Sequence, residues 1–219
     1  MSSTTSTLAL SLPEGYVEEQ DRPPAPDVAI LDRLSADAFD LHVDTVGPNE
    51  NRQFRVTLYS GGSTVSLERV LRLLGSLDLE VVDQRTSVFR RADGLVCRLY
   101  DFRVSAGPLV TSAVASGSVE PEAVLETFRA MWSRRAEADR FNVLVLAAGL
   151  DWREVVLLRA YARFLRQSAL PYDQGRIEAV LLSRPEFASA LVDLFHAHFD
   201  PSRPGGGTSR DDEVEQRAR

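Results

Sequence analysis

The chain has 219 residues, 44% of them hydrophobic and 26% charged, a balance outside disordered, collagenous and membrane-spanning compositions that leaves enough apolar side chain for a buried core. Its 32 acidic and 25 basic residues give a formal charge of -7, which argues against a general nucleic-acid binder, because that role rests on phosphate neutralisation. All 25 basic residues are arginine, so Schiff-base, P-loop-lysine and lysine general-base chemistry are excluded for this chain.

The single cysteine, Cys97, cannot form an internal disulfide, and one cysteine with three histidines cannot assemble a structural zinc site. No apolar run approaches the ~18 residues of a membrane span, and the first residues lack the basic start of a signal peptide. The expected setting is the cytoplasm, with no membrane partner. Length alone is equally compatible with one domain carrying appendages and with two small modules.

In chain order, residues 1–26 read as a leader ending in a stiff Pro-rich linker, Asp21-Arg22-Pro23-Pro24-Ala25-Pro26. Asp27 is then positioned to cap a short helix through Leu34. Phe39, Leu41 and Val43 alternate with polar partners, as do Phe54, Val56 and Leu58, which predicts two strands with one buried face each. Gly61 and Gly62 break the second pattern. Ser66 is the expected N-cap of a helix with Leu67, Val70, Leu71 and Leu74 on one face, Glu68 near its positive end and Gly75 near its exit.

Two further strands are predicted over residues 79–89 and 95–104, joined by a turn containing Asp93-Gly94. Strand, helix, strand, strand is most of a ferredoxin-like plan, and the strand at Phe39 can complete a four-stranded sheet. A Ser/Gly/Ala-rich loop over residues 105–118 ends this part, taken as 27–118. Beyond it the pattern is helical to residue 200. Pro121 opens a helix carrying Val124, Leu125, Phe128, Met131 and Trp132. The apolar run 143–148 fits either a strand or a buried helix. Asp151 with Glu154, and Ser183 with Glu186, resemble capping boxes opening two more helices. Residues 201–219 have no hydrophobic periodicity and read as a disordered tail. The fold class is α+β, a βαββ-type sheet module followed by a helical array.

No catalytic constellation emerges, and no catalytic, cofactor-binding or metal-ligating residue is assigned. His196 and His198, at i and i+2 on a helix, point about 200° apart and cannot chelate one ion. His42 falls on the polar face of its strand with no evident partner. Cys97 alternates with Leu95 and Leu99 and reads as a buried thiol. Two features invite a binding reading. The loop holding Gly61, Gly62, Ser63, Thr64 and Ser66 runs from a strand into a helix N-terminus and could hold a small carboxylate, although a plain strand-to-helix turn is the favoured reading. It has neither the lysine of a Walker loop nor a dinucleotide fingerprint. Arg159, Arg163 and Arg166 form a stripe suited to an acidic partner surface, or to ordinary pairing with local acids.

The sequence resembles the large bacterial NAD-specific glutamate dehydrogenases, in the region preceding their catalytic domain. Residues 141–154 (FNVLVLAAGLDWRE), running on into 158–167 (LRAYARFLRQ), carry the resemblance most strongly. Weaker echoes are Leu12-Pro13-Glu14-Gly15-Tyr16, Val65-Ser66-Leu67, Val81-Val82-Asp83 with Arg85, Tyr100-Asp101-Phe102, and Leu194-Phe195 with Phe199-Asp200-Pro201. The resemblance implies an ACT-like module followed by a helical motif, and implies that 143–148 is helix. It implies a regulatory and assembly segment of an enzyme that oxidatively deaminates glutamate to 2-oxoglutarate, with NAD bound elsewhere in the parent and the catalytic domain, or a second copy, as partner. The segment itself is then expected to be inactive alone. The alternative is a stand-alone ACT-like sensor of a small amino acid. Asp83-Gln84-Arg85-Thr86 departs from the family's Asp-Glu-Arg-Pro at that place, as do the hairpin and the 105–118 loop.

Overall fold

The structure, a computed structural model, describes residues 25–47, 53–167 and 173–199. The proposed leader before Ala25, its Leu12 to Tyr16 echo and the tail 201–219 lie outside the described residues. Four strands, β1 (Phe39–Val46), β2 (Gln53–Gly61), β3 (Leu79–Arg90) and β4 (Val96–Ala106), form one sheet in the order β1-β2-β4-β3. Every neighbouring pair is antiparallel. The unit β2, α2 (Leu67–Gly75), β3, β4 is the expected βαββ. β1 precedes it in sequence and occupies the edge beside β2, the place that the last strand of a ferredoxin-like plan would fill.

Register decides which side chains share a face. Leu41 lies opposite Leu58 and Val43 opposite Val56, while Phe54 and Val56 lie opposite Val104 and Phe102. These apolar positions pack against α2 and α4 (Pro121–Trp132), with α4 lying on β1 and α2. Ser66 caps α2 as expected, its Oγ accepting the Arg69 N–H at 3.4 Å. Val70, Leu73 and Leu74 are buried beneath it.

The chain then builds a 3-10 turn (Arg140–Asn142), α5 (Val143–Ala147), α6 (Trp152–Gln167), α7 (Gln174–Ser183) and α8 (Pro185–Phe199). The sheet face and these helices share one hydrophobic core, continuous from Leu41 through Phe128 and Phe141 to Val192. The ambiguous run at 143–148 is therefore a one-turn buried helix, closed by Gly149 at φ 67°. α6 opens with a complete capping box: Asp151 Oδ1 accepts the N–H groups of Arg153 and Glu154 at 2.6 and 2.9 Å, and Glu154 accepts the Asp151 N–H at 2.8 Å.

Four local expectations are corrected. Helix α1 (Ala25–Arg33) begins inside the stretch read as linker, because a proline is tolerated in a first turn, and Asp27 sits within the helix instead of capping it. The 105–118 loop contains a short helix, α3 (Thr111–Ala115), whose Val114 is buried. Asp173 caps α7, which the sequence reading passed over, accepting the Arg176 N–H at 2.7 Å. Ser183 is the last residue of α7 and donates to the Val180 carbonyl at 2.8 Å, so it does not cap α8.

Among the described residues, the second face of the sheet is covered only at the end nearest the β3–β4 turn. There α1 and the residue after it place Leu31 and Leu34 over Tyr59, Phe89, Cys97 and Leu99, a small core separate from the main one. This double coverage explains why β2 is buried on both faces from Val56 to Gly61. Among the described residues, no helix is long and apolar enough to cross a membrane.

Candidate functional site

The densest polar arrangement lies where the sheet module meets the helical array. After α4 the chain reverses at Arg134, which adopts φ 59°, and the Arg135 and Ala136 N–H groups return to the Ala130 carbonyl at 2.8 and 3.1 Å. Glu137 and Asp139 are thereby presented to α6. Asp139 takes two hydrogen bonds from the Arg159 guanidinium, at 2.7 and 2.8 Å, and accepts the Phe141 N–H at 3.2 Å.

Asn142, 1% exposed, sits at the centre of this junction. Its Oδ1 accepts from Arg159 at 3.0 Å, and its Nδ2 donates to the Glu137 carbonyl at 2.7 Å and lies 3.1 Å from the Met131 sulfur and 3.4 Å from Ser76 Oγ. Ser76 in turn donates to the Leu73 carbonyl at 2.7 Å. One network thus joins the end of α2, the end of α4, the turn and α6. A buried guanidinium loses hydration, and two carboxylate bonds with one amide bond at fixed angles offset that loss only while all partners are present.

The arginine stripe is therefore not a uniform exposed face. Arg159 is 3% exposed and committed to Asp139 and Asn142, because its position on α6 faces the turn. Arg163 is exposed and pairs with Glu137 at 2.5 Å, and Arg166 lies 3.5 Å from Gln174. Nor is the surface flat. Arg134, Glu137, Val156, Arg163 and Phe164 line a depression of about 340 Å³ above the buried pair.

The loop from Gly61 to Ser66 is spoken for by its own fold. The Gly61, Gly62 and Ser63 N–H groups donate to the carbonyls of Ala38, Val96 and Gly61, and the Val65 N–H donates to the Tyr100 hydroxyl at 3.1 Å. Arg98 donates to the Gly62 carbonyl at 2.9 Å. Thr64 and Ser66 continue this turn into α2, where the Ser66 oxygen is occupied by its capping bond. Gly61 is needed for close approach, since a Cβ there would lie 2.3 Å from the Ser35 carbonyl oxygen, and Gly62 for its φ of 79°. The donor set left at this turn does not fit a dinucleotide phosphate, which needs several convergent free N–H groups.

On the uncovered part of the second sheet face, charge runs across the strands. Arg55 makes two bonds to Asp101 at 2.9 and 2.5 Å, and Arg103 reaches Asp83 at 3.1 Å. The Asp101 bond holds the Arg55 guanidinium above its ordinary pKa, against a smaller opposing effect of burial. With Val46 and Arg85 these residues line a depression of about 250 Å³. His42 lies 3.2 Å from Asp44 on the same face, His196 lies 3.1 Å from Glu154, and His198 contacts its own helix. Among the described residues, no three His, Cys, Asp or Glu side chains come together to hold a metal. Cys97 is buried under α1, and desolvation raises its thiol pKa.

Sequence reading missed the acids that receive the arginines. Asp139 and Glu137 lie 20 and 26 positions before their partners, and no helical or strand period links them. The available signal was local: Asp139 two residues before Phe141 is a cap for the 3-10 turn.

Comparison with known proteins places these two parts in one family. Residues 40–115 match the glutamate dehydrogenase ACT3 domain, and residues 136–201 match glutamate dehydrogenase helical motif 3. The NAD-specific glutamate dehydrogenase of Mycobacterium tuberculosis is 39% identical over 187 residues, 84% of this chain and 11% of the relative. Those of Halomonas elongata and Pseudomonas aeruginosa are 35% and 34% identical, covering 72% and 68% of this chain and 10% and 9% of the relatives. The chain spans about a tenth of the length of the curated relatives it matches.

Proposed function

The chain carries the ACT3 domain and helical motif 3 of the NAD-specific glutamate dehydrogenase family, and on that premise we propose that it is a non-catalytic, regulatory and assembly segment of such an enzyme. The observation that carries this reading is the tandem match across a single continuous core, reinforced by the Arg159–Asp139–Asn142 junction. A segment fused in this way acts as a rigid spacer, because a displacement of the sheet is transmitted to α6 through packed side chains. Among the described residues no general base, nucleophile and oxyanion donors come together, and in this reading glutamate and NAD are handled elsewhere in the parent, whose catalytic domain is this segment's partner. The Gly61–Ser66 turn is set aside as an effector site in this reading, since the Gly61, Gly62, Ser63 and Val65 N–H groups are engaged within the fold.

Two measurements test the proposal. The purified 219-residue chain should form no NADH from glutamate and NAD, and turnover on the order of 1 per second or faster would overturn the non-catalytic reading. A chimera of the Mycobacterium tuberculosis relative, with its matching 187 residues replaced by those of this chain, should keep its assembly state and its glutamate-dependent NADH formation. A chimera that folds and assembles but makes no NADH would remove the proposed role.

A further inference from the structure

Helix α1 is fastened to the second sheet face by polar clasps at its ends and by an apolar patch between them. At its first turn the Tyr59 hydroxyl donates to Asp27 at 2.5 Å. At its last turn one nitrogen of Arg91 donates to the carbonyls of Leu31, Asp32 and Leu34 at 3.1, 3.0 and 2.7 Å, satisfying groups that a helix end leaves without partners. Arg91 is itself held by Asp93 at 2.6 Å. Between the clasps, Leu31 and Leu34 close over Tyr59, Phe89, Cys97 and Leu99.

The patch beneath α1 is separate from the main core, and the one further polar tie, from the exposed Arg33 to Asp40 of β1 at 3.2 Å, runs to a carboxylate that also accepts from Arg129 of α4. None of the six buried residues of the small core belongs to the main core. The nine described residues of α1 are fewer than the ~12–15 that hold helical structure in water, so this stretch draws its helical stability from docking. Its docking rests on Leu31 and Leu34, the partly buried Ile30 and a handful of hydrogen bonds, whereas the main core draws on the sheet and on helices from α2 to α8. Units with so few buried contacts open at lower free energy than the whole domain.

We propose that α1 is a detachable strap, which leaves the sheet as a unit while the main core stays folded and so uncovers Cys97 together with the apolar strip of Tyr59, Phe89 and Leu99. With the strap off, the accessible face runs unbroken from the Arg55–Asp101 and Arg103–Asp83 pairs to the β3–β4 turn. The strap therefore controls whether that face is available.

The chain contains its own reporters. The only cysteine lies under the strap, and both tryptophans, Trp132 and Trp152, pack against the main core. The full chain is treated with a disulfide-exchange thiol reagent in water and in rising urea, while tryptophan fluorescence follows the main core. Cys97 should react to completion before the tryptophan signal changes, at a rate only weakly dependent on urea. Asp27→Ala, which removes one clasp from the strap side, should speed labelling roughly 5–10-fold, the effect of one hydrogen bond, with the tryptophan midpoint unchanged. Leu31→Ala should speed it further. Leu74→Ala, in the main core, should lower the tryptophan midpoint and leave the labelling rate in water unchanged. Labelling confined to the tryptophan transition, or strap variants that speed labelling only as far as they lower that midpoint, would overturn the proposal.

Discussion

The two faces of the sheet are built from the same strands and held by different means. On one face the positions from Leu41 and Phe54 to Phe102 and Val104 are apolar, and helices from several parts of the chain share the coverage. On the other, the buried apolar residues lie near the β3–β4 turn under one short helix, and the remainder described is an exposed ladder of Arg55, Asp101, Arg103 and Asp83 beside Val46. The first face is cooperative because each side chain is buried by more than one element. The second is modular, since lifting α1 removes its cover in a single step.

The sharpest way to break the first arrangement is at the junction that ties the sheet module to the helices. Arg159→Ala should cost about 3–5 kcal/mol of stability, read by urea unfolding, because it leaves Asp139 and Asn142 without their buried partner. A loss within ~0.5 kcal/mol, the range of ordinary surface substitutions, would mean that packing alone holds the two parts together.

The same chemical deletion made in each core compares them directly. Leu74→Ala removes a fully buried side chain from the main core and should cost about 2–5 kcal/mol in the tryptophan transition. Leu31 is as deeply buried, at 1% exposed, yet Leu31→Ala should move that transition by less than about 1 kcal/mol, since its loss is confined to the docking of α1. Equal shifts would show the two cores to be one cooperative unit.

The smallest effect belongs to the clasp at the turn. The hydrogen bond from Arg91, aided by the Leu95 N–H, lowers the Asp93 carboxyl pKa to about 2. A carboxyl lowered by the fold contributes stability that is present above its unfolded value, near 4, and is lost as pH falls through its folded one. Asp93 should therefore titrate near 2 by NMR and return toward ordinary carboxylate values in Arg91→Ala. Titration near 4 in the unaltered chain would show that the bond to Arg91 does not persist in solution.

Much of this was legible in the sequence where the signal is local. Alternation placed β1 and β2, Asp93-Gly94 placed the hairpin turn, and Ser66 and the Asp151–Glu154 pair placed two helix starts. The same local logic misled at Ser183, where a second capping-box spacing occurs by chance at the end of α7. The arginine stripe was legible as a shared side with acids as its expected partners, but not which arginine would be buried. A helical period shows that Arg159, Arg163 and Arg166 share a side, but only the fold of the Arg134 turn decides that the first of them meets Asp139 and is buried.

The sequence by itself determined the α+β class, the order of its strands and the family resemblance, because periodicity, caps and turn residues act within a few positions of one another. Tertiary structure alone decided that β1 takes the edge beside β2, that the sheet and helical array share one core, and that Tyr59 and Arg91 clasp α1. Those outcomes join groups 32 to 60 residues apart at the strap and 20 apart at the Arg159–Asp139 pair. At such separations no backbone period links the partners, and register, burial and hydrogen-bond satisfaction choose the pairing.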